Sequence, residues 1–169
     1  MSLIAKKICM VGPFAVGKTS LVRQFVESLF SDKYHTTIGV KISKKQLQID
    51  EHTLQLMLWD IEGVDAFTEL RASYLRGAAG IMLVVDGTRP TTIGQIRELM
   101  GLVHSFLDDV PLLVLINKCD LKHEWRFEQS EIHALQQEGV TVLETSAKTG
   151  EGVEAAFRRL AQLMLEVQA

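Results

Sequence analysis

Gly12-Pro13-Phe14-Ala15-Val16-Gly17-Lys18-Thr19 follows the apolar run Ile8-Cys9-Met10-Val11 and precedes a stretch with helical spacing. This is the GxxxxGK[ST] pattern, in the strand-to-helix context that gives it meaning. Its chemistry is anion binding. The main-chain amides of Ala15, Val16, Gly17, Lys18, Thr19 and Ser20 and the positive end of the helix converge on one point, Lys18 adds a full charge, and the Thr19 hydroxyl can ligate magnesium. A second group, Asp60-Ile61-Glu62-Gly63-Val64-Asp65, leaves the run Leu54-Gln55-Leu56-Met57-Leu58-Trp59. An aspartate and a glycine at a strand exit can hold a metal and a phosphate, but Val64 stands where such chemistry wants a polar group.

Two further groups read a base. Asn117-Lys118-Cys119-Asp120 follows Leu112-Leu113-Val114-Leu115-Ile116. A fixed carboxylate such as Asp120 accepts the paired N1–H and amine donors of guanine, whereas adenine presents an acceptor at N1. Ser146-Ala147-Lys148, behind the run Val140 to Leu143, can supply a backbone N–H to the guanine O6 and an aliphatic stem against the ring. Each is weak alone, because a helix N-cap also explains Ser at such a place. Together, each at a strand end, they define one crevice.

The elements that position these groups are short apolar runs alternating with amphipathic stretches, as in a wound, mostly parallel sheet. Leu21, Val22, Phe25, Val26 and Leu29 mark one helix face; Ile93, Ile96, Met100, Val103 and Leu107 mark another; Val153, Ala156, Phe157, Leu160 and Met164 a third. The runs Val40 to Ile49 and Thr53 to Trp59 are joined by Asp50-Glu51-His52, short enough only for a hairpin, so one strand is antiparallel. The apolar phase changes between Ile42 and Leu47, which predicts an edge strand with a bulge. Lys41, Lys44 and Lys45 on it fit either edge protection or a partner-binding edge. The runs 81–85 and 112–116 are apolar throughout, as central strands are. The expectation is an α/β fold of six strands and about five helices, with its ligand crevice beyond the carboxyl ends of the strands.

A chain of 169 residues with 47% hydrophobic residues and net charge −3 predicts one domain over 1–169, with no excess positive charge to draw nucleic acid. Cys9 and Cys119 read as thiols in a reducing compartment. The five histidines show no zinc-ligand spacing, and no apolar stretch reaches membrane-spanning length.

The same residues resemble the small GTPases of the Ras superfamily, closest to the Rab branch, from about Lys7 to Leu165. The loop at Gly12 resembles the family's phosphate loop; Thr36-Thr37-Ile38-Gly39 its first switch; Trp59-Asp60-Ile61-Glu62-Gly63 its second; NKCD and TSAK its guanine-binding elements. Ser73-Tyr74-Leu75-Arg76-Gly77-Ala78 also looks Rab-like. The resemblance implies a P-loop small GTPase fold, GTP or GDP with Mg2+ as ligands, and a signalling or vesicle-trafficking switch. It implies that Phe30 leans on the base, that Tyr34 covers the phosphates, and that magnesium is held by Thr19, by Thr37 in the triphosphate state, and by Asp60 through water. Catalytic roles would fall to Lys18, Thr37 and Gly63, whose amide touches the γ-phosphate. It further implies a monomer that meets effectors through its switches, with an exchange factor and a GTPase-activating partner; Arg71, Arg76 and the lysine edge are candidates for the effector face or plain solvated charge. The family's prenyl anchor is not expected from Leu163 to Ala169, which carry no cysteine, so a cytoplasmic chain is expected, peripheral to membranes where a lipidated tail follows.

Two residues depart from the family pattern. Val64 occupies the position of the glutamine that orients the attacking water, and has no donor or acceptor with which to do so; at best it walls the phosphate off from solvent. Phe14 stands where the family keeps a small residue, crowding the place an incoming glutamine or arginine must occupy, and Pro13 stiffens the turn beside it. The expectation is slow intrinsic hydrolysis, with a largely GTP-locked binding module as the alternative.

Overall fold

The computed structural model describes residues 2–31, 37–64 and 70–168, so the expectations for Tyr34, Thr36 and Asp65 fall outside the described residues. Six strands form one sheet: β1 (Ser2–Val11), β2 (Val40–Ile49), β3 (His52–Ile61), β4 (Gly80–Asp86), β5 (Leu112–Asn117) and β6 (Thr141–Thr145). Their order is β2-β3-β1-β4-β5-β6, and all neighbours are parallel except β2 and β3. Six α-helices accompany them among the described residues: α1 (Lys18–Glu27), α2 (Ala72–Leu75), α3 (Pro90–Ile93), α4 (Ile96–Phe106), α5 (Gln129–Gln137) and α6 (Val153–Gln168). All seven residues of β4 are buried, as a central strand covered on both faces requires.

Alternate residues of the strands feed two opposite cores. Met82, Val84, Leu113 and Leu115 face α1 and α6, where Phe25 and Phe157 stack with ring centroids 4.0 Å apart. Leu83, Val85, Val114 and Ile116 face α3, α4 and α5, and Cys9, Val11 and Ile81 face Leu75 of α2 and Val103 of α4. Truncating Phe157, which is fully buried, costs about 3–5 kcal/mol by the usual cavity penalty.

The hairpin corrects one expectation. Pairing of β2 with β3 runs unbroken from Val40↔Ile61 to Ile49↔His52, with no bulge. The apparent phase change has another cause: the strand changes which face is covered. Val40 packs with the α2-side core, whereas Leu47 and Ile49 pack with the α1 and α6 side. Lys45, on the Leu47 face, lies over the Phe25 ring at 5.4 Å, so its stem stands in for an apolar residue. Asp50 closes the turn at φ 52°, a conformation aspartate tolerates better than most residues.

Two helices also differ from their expected outlines. The single helix expected from Ile93 to Leu107 is two. α3 starts on Pro90 and spans one turn, in which the buried Thr92 hydroxyl bonds back to Asp86 at the end of β4; Gly94 and Gln95 separate it from α4. Leu29 lies beyond the end of α1 and is half exposed; Ser28, at φ 55°, ends the helix with its N–H on the Gln24 carbonyl.

Candidate functional site

The segments at the carboxyl ends of β1, β3, β5 and β6 line a cavity of about 290 Å³. Its wall contains Ala15, Gly17, Lys18, Thr19, Ser20, Phe30, Thr37, Asp60, Gly63, Asn117, Lys118, Asp120, Ala147 and Lys148. Of the described candidates Val16, Ser146 and Val64 are missing from it; Val16 and Ser146 are fully buried and brace the site from behind.

The loop between β1 and α1 is shaped by close approach. A Cβ on Gly12 would lie 2.2 Å from the Val84 carbonyl oxygen, and one on Gly17, at φ 104°, 2.3 Å from Asn117 Nδ2. Lys18 opens α1 and is buried; its Nζ donates to the carbonyls of Gly12 (3.1 Å) and Pro13 (3.0 Å). Burial pulls its pKa down to about 8, opposed by the Asp60 carboxylate and assisted by the Arg89 guanidinium. An ammonium desolvated to this degree gains from an anion placed beside it.

Next to it, the Thr19 hydroxyl donates to Asp60 Oδ2 (2.6 Å), the Thr37 hydroxyl reaches the same oxygen (3.3 Å), and the two hydroxyl oxygens lie 2.6 Å apart. Asp60 Oδ1 is buried without a hydrogen-bond partner among the described residues, and burial raises the Asp60 pKa against the pull of Thr19 and Lys18. Two hydroxyls and a carboxylate with an orphaned oxygen are the hard oxygen donors that magnesium takes, so the residues fit that ion.

The segment after β3 is fastened to the loop. Val64 N–H donates to the Gly12 carbonyl (3.0 Å), and Pro13 and Val64 form an isolated parallel bridge. Gly63 lies so close that a Cβ on it would stand 2.4 Å from the Phe14 Cα. The Val64 side chain is not part of the cavity wall. It packs against both cores on the α2–α5 face of the sheet. Phe14 does line the cavity and is 40% exposed, and its carbonyl accepts from Arg89 Nη1 (2.8 Å).

On the opposite side, Asn117 is a hub. Its Nδ2 donates to the Val16 carbonyl (3.0 Å), and its Oδ1 accepts from the Thr145 hydroxyl (3.2 Å) and the Ala147 amide (3.3 Å). It thereby ties the Gly12 loop to both base-side segments. The Ser146 hydroxyl donates to Asp120 Oδ1 (2.7 Å) and orients that carboxylate rather than lining the cavity. The Lys118 ammonium lies 2.8 Å from the fully buried Asp86. Sequence reasoning missed Asp86, Arg89, Gln24, Leu121 and Ser31. Asp86 was detectable as a charge ending a wholly apolar run. Gln24, whose Nε2 donates to the Ala147 carbonyl (2.8 Å), and Leu121 and Ser31 of the cavity wall carry no local signal.

A six-stranded sheet with one antiparallel edge pair, a GxxxxGKT loop after β1 and a cavity at the strand ends make up the Ras-like α/β fold. Residues 7–166 match the Ras family. "Ras-related protein Rab-1D" of Dictyostelium discoideum is 33% identical over 158 residues, 92% of this chain and 78% of the relative. "Ras-related protein Rab-8B" of Homo sapiens is 35% identical over 159 residues, 92% and 76% respectively, and "GTP-binding protein YPTM1" of Zea mays 33% over 153 residues, 89% and 74%. The chain belongs to the Ras family, as a Rab-like small GTPase.

Proposed function

We propose that residues 1–169 form a single GTP- and GDP-binding switch domain whose intrinsic hydrolysis is slower than the roughly 3–5 × 10⁻⁴ s⁻¹ of Ras itself. One observation carries the reading: the cavity that collects Lys18, Asp60 and Asp120 excludes the Val64 side chain, which is spent on packing. In this reading Lys18 and the loop amides hold the phosphates, and Asp120 takes the two guanine donors while the Lys148 stem and Phe30 flank the ring. Thr19 and Thr37 hold magnesium directly and Asp60 through water; the ion, when bound, offsets charge on the phosphate oxygens. Thr37 and Gly63 report the γ-phosphate, and their release after its loss is what effectors would read. An exchange factor and a GTPase-activating partner complete the cycle, with a vesicle-trafficking role in keeping with the Rab-like relatives.

The position of Val64, together with Phe14 in the cavity wall, also favours a second reading: a scaffold that stays loaded with GTP. Single-turnover hydrolysis on the wild type and on Val64→Gln/Phe14→Gly tests the first reading, which requires the double variant to be faster; equal rates would sink it. The nucleotide that co-purifies separates the two, GTP marking the loaded scaffold and GDP the cycling switch.

A further inference from the structure

We infer that Trp125, outside the nucleotide cavity, is a positioning residue that holds the base-reading turn in shape and so sets both how long a guanine nucleotide stays and how well guanine is told from its analogues. This rests on the guanine reading above.

The turn needs holding. Lys118, directly after Asn117, sits at φ 73° and ψ 39°, a left-handed conformation that a side chain with a Cβ resists. The residues that follow form a 3₁₀ turn, Cys119–Glu124, which carries Asp120. Two donors converge on the Lys118 carbonyl: the Leu121 amide at 2.9 Å, which closes the turn, and the Trp125 indole Nε1–H at 3.2 Å. At its other end Lys118 is fixed by the buried Asp86. Trp125 thus acts on the strained residue two positions before the carboxylate that would read the base.

The indole is itself placed by contacts with no room to move. A Cβ on Gly87 would fall 2.1 Å from the ring, so the ring edge occupies the space any other residue at 87 would need. Gly87 N–H in turn donates to the Asn117 carbonyl (3.1 Å), so the same glycine abuts both the indole and the start of the base loop. Phe127 packs at 5.4 Å between ring centroids, and Lys122 lies 5.6 Å above the ring. Trp125 packs against the α3–α5 core, so the indole joins that core to the base turn through one hydrogen bond.

The test uses the full chain and two nucleotides, GDP and inosine diphosphate, which lacks the exocyclic amine Asp120 would read. Trp125→Phe keeps most of the ring and deletes the donor. GDP release is expected to accelerate about fivefold, the worth of one ordinary hydrogen bond, and the affinity ratio of GDP to inosine diphosphate to fall by a similar factor, with little change in melting temperature. Gly87→Ala is expected to accelerate release in the wild type and to change nothing further in a Trp125→Ala background, because its effect travels through the displaced ring. An unchanged release rate, or equal loss of affinity for both nucleotides, overturns the inference and leaves Trp125 a packing residue. A wild type that does not prefer GDP to ADP instead overturns the guanine reading itself, a separate and recognisable outcome.

Discussion

The two sides of the cavity are built differently. On the base side several polar groups are engaged by other residues of the chain: Asn117 makes three hydrogen bonds, Ser146 holds Asp120, and Lys118 is gripped by Asp86 and Trp125. On the phosphate side the segment after β3 is fastened by a backbone bond from Val64, a bridge to Pro13, apolar packing of the Val64 side chain, and two bonds between Glu62 and Gly39. Both sides hold polar networks, that of Lys18, Thr19, Thr37 and Asp60 on one and that of Asn117 on the other, but the segment after β3 adds a hydrophobic anchor at Val64. On the reading proposed above, the elements that would grip the base and the segment that carries Val64 are separate, so a change in one need not disturb the other.

The contrast can be tested by breaking each side in turn. The largest effect is expected from Asp120→Ala: losing the carboxylate that, on the proposed reading, takes the two guanine donors should weaken GDP binding by about two orders of magnitude or more and leave ADP binding as it was, measured by equilibrium titration. Thr19→Ala should come next. In the wild type, chelating magnesium should speed GDP release markedly, and in this variant it should add little; a full chelator response would show that the hydroxyl is not a ligand.

Val64→Gln should separate stability from turnover. Placing an amide where Val64 packs against both cores should cost about 1–2 kcal/mol in denaturant unfolding even if hydrolysis rises; no loss of stability would mean the side chain is not anchored there. Arg89→Ala removes the bond to the Phe14 carbonyl, from a side chain 40% exposed, and should cost less than about 1 kcal/mol. Smallest of all, Arg97→Ala, which breaks an exposed ion pair with Glu138, should leave the melting temperature unmoved.

Much of this was legible because it is local. The strand order of motifs, the hairpin and the central runs followed from turn lengths and apolar patterns, and the cavity gathers residues that stand at strand ends in the sequence. The bulge expected in β2 failed because pattern reading takes apolar residues as inward and lysines as outward, whereas Lys45 lies inward over Phe25 and Ile42 is half exposed. The expected single helix at 93–107 is interrupted at Gly94 and Gln95, and a Thr92 side chain bonding across to β4 has no signature in helical spacing. Val64 is the more instructive case. Its type showed what it is unable to do, but only the packing of two distant core clusters showed what it does instead.

The amide of Val64, bonded to the Gly12 carbonyl at 3.0 Å, joins the two chain segments again beyond the paired ends of β1 and β3. Solvent deuterium should therefore enter at that single nitrogen only when the loop and the segment after β3 part company. A slow signal in one loaded form and a fast one in the other would make this proton a clock for the opening of the segment, readable without a dye, a partner or a mutation.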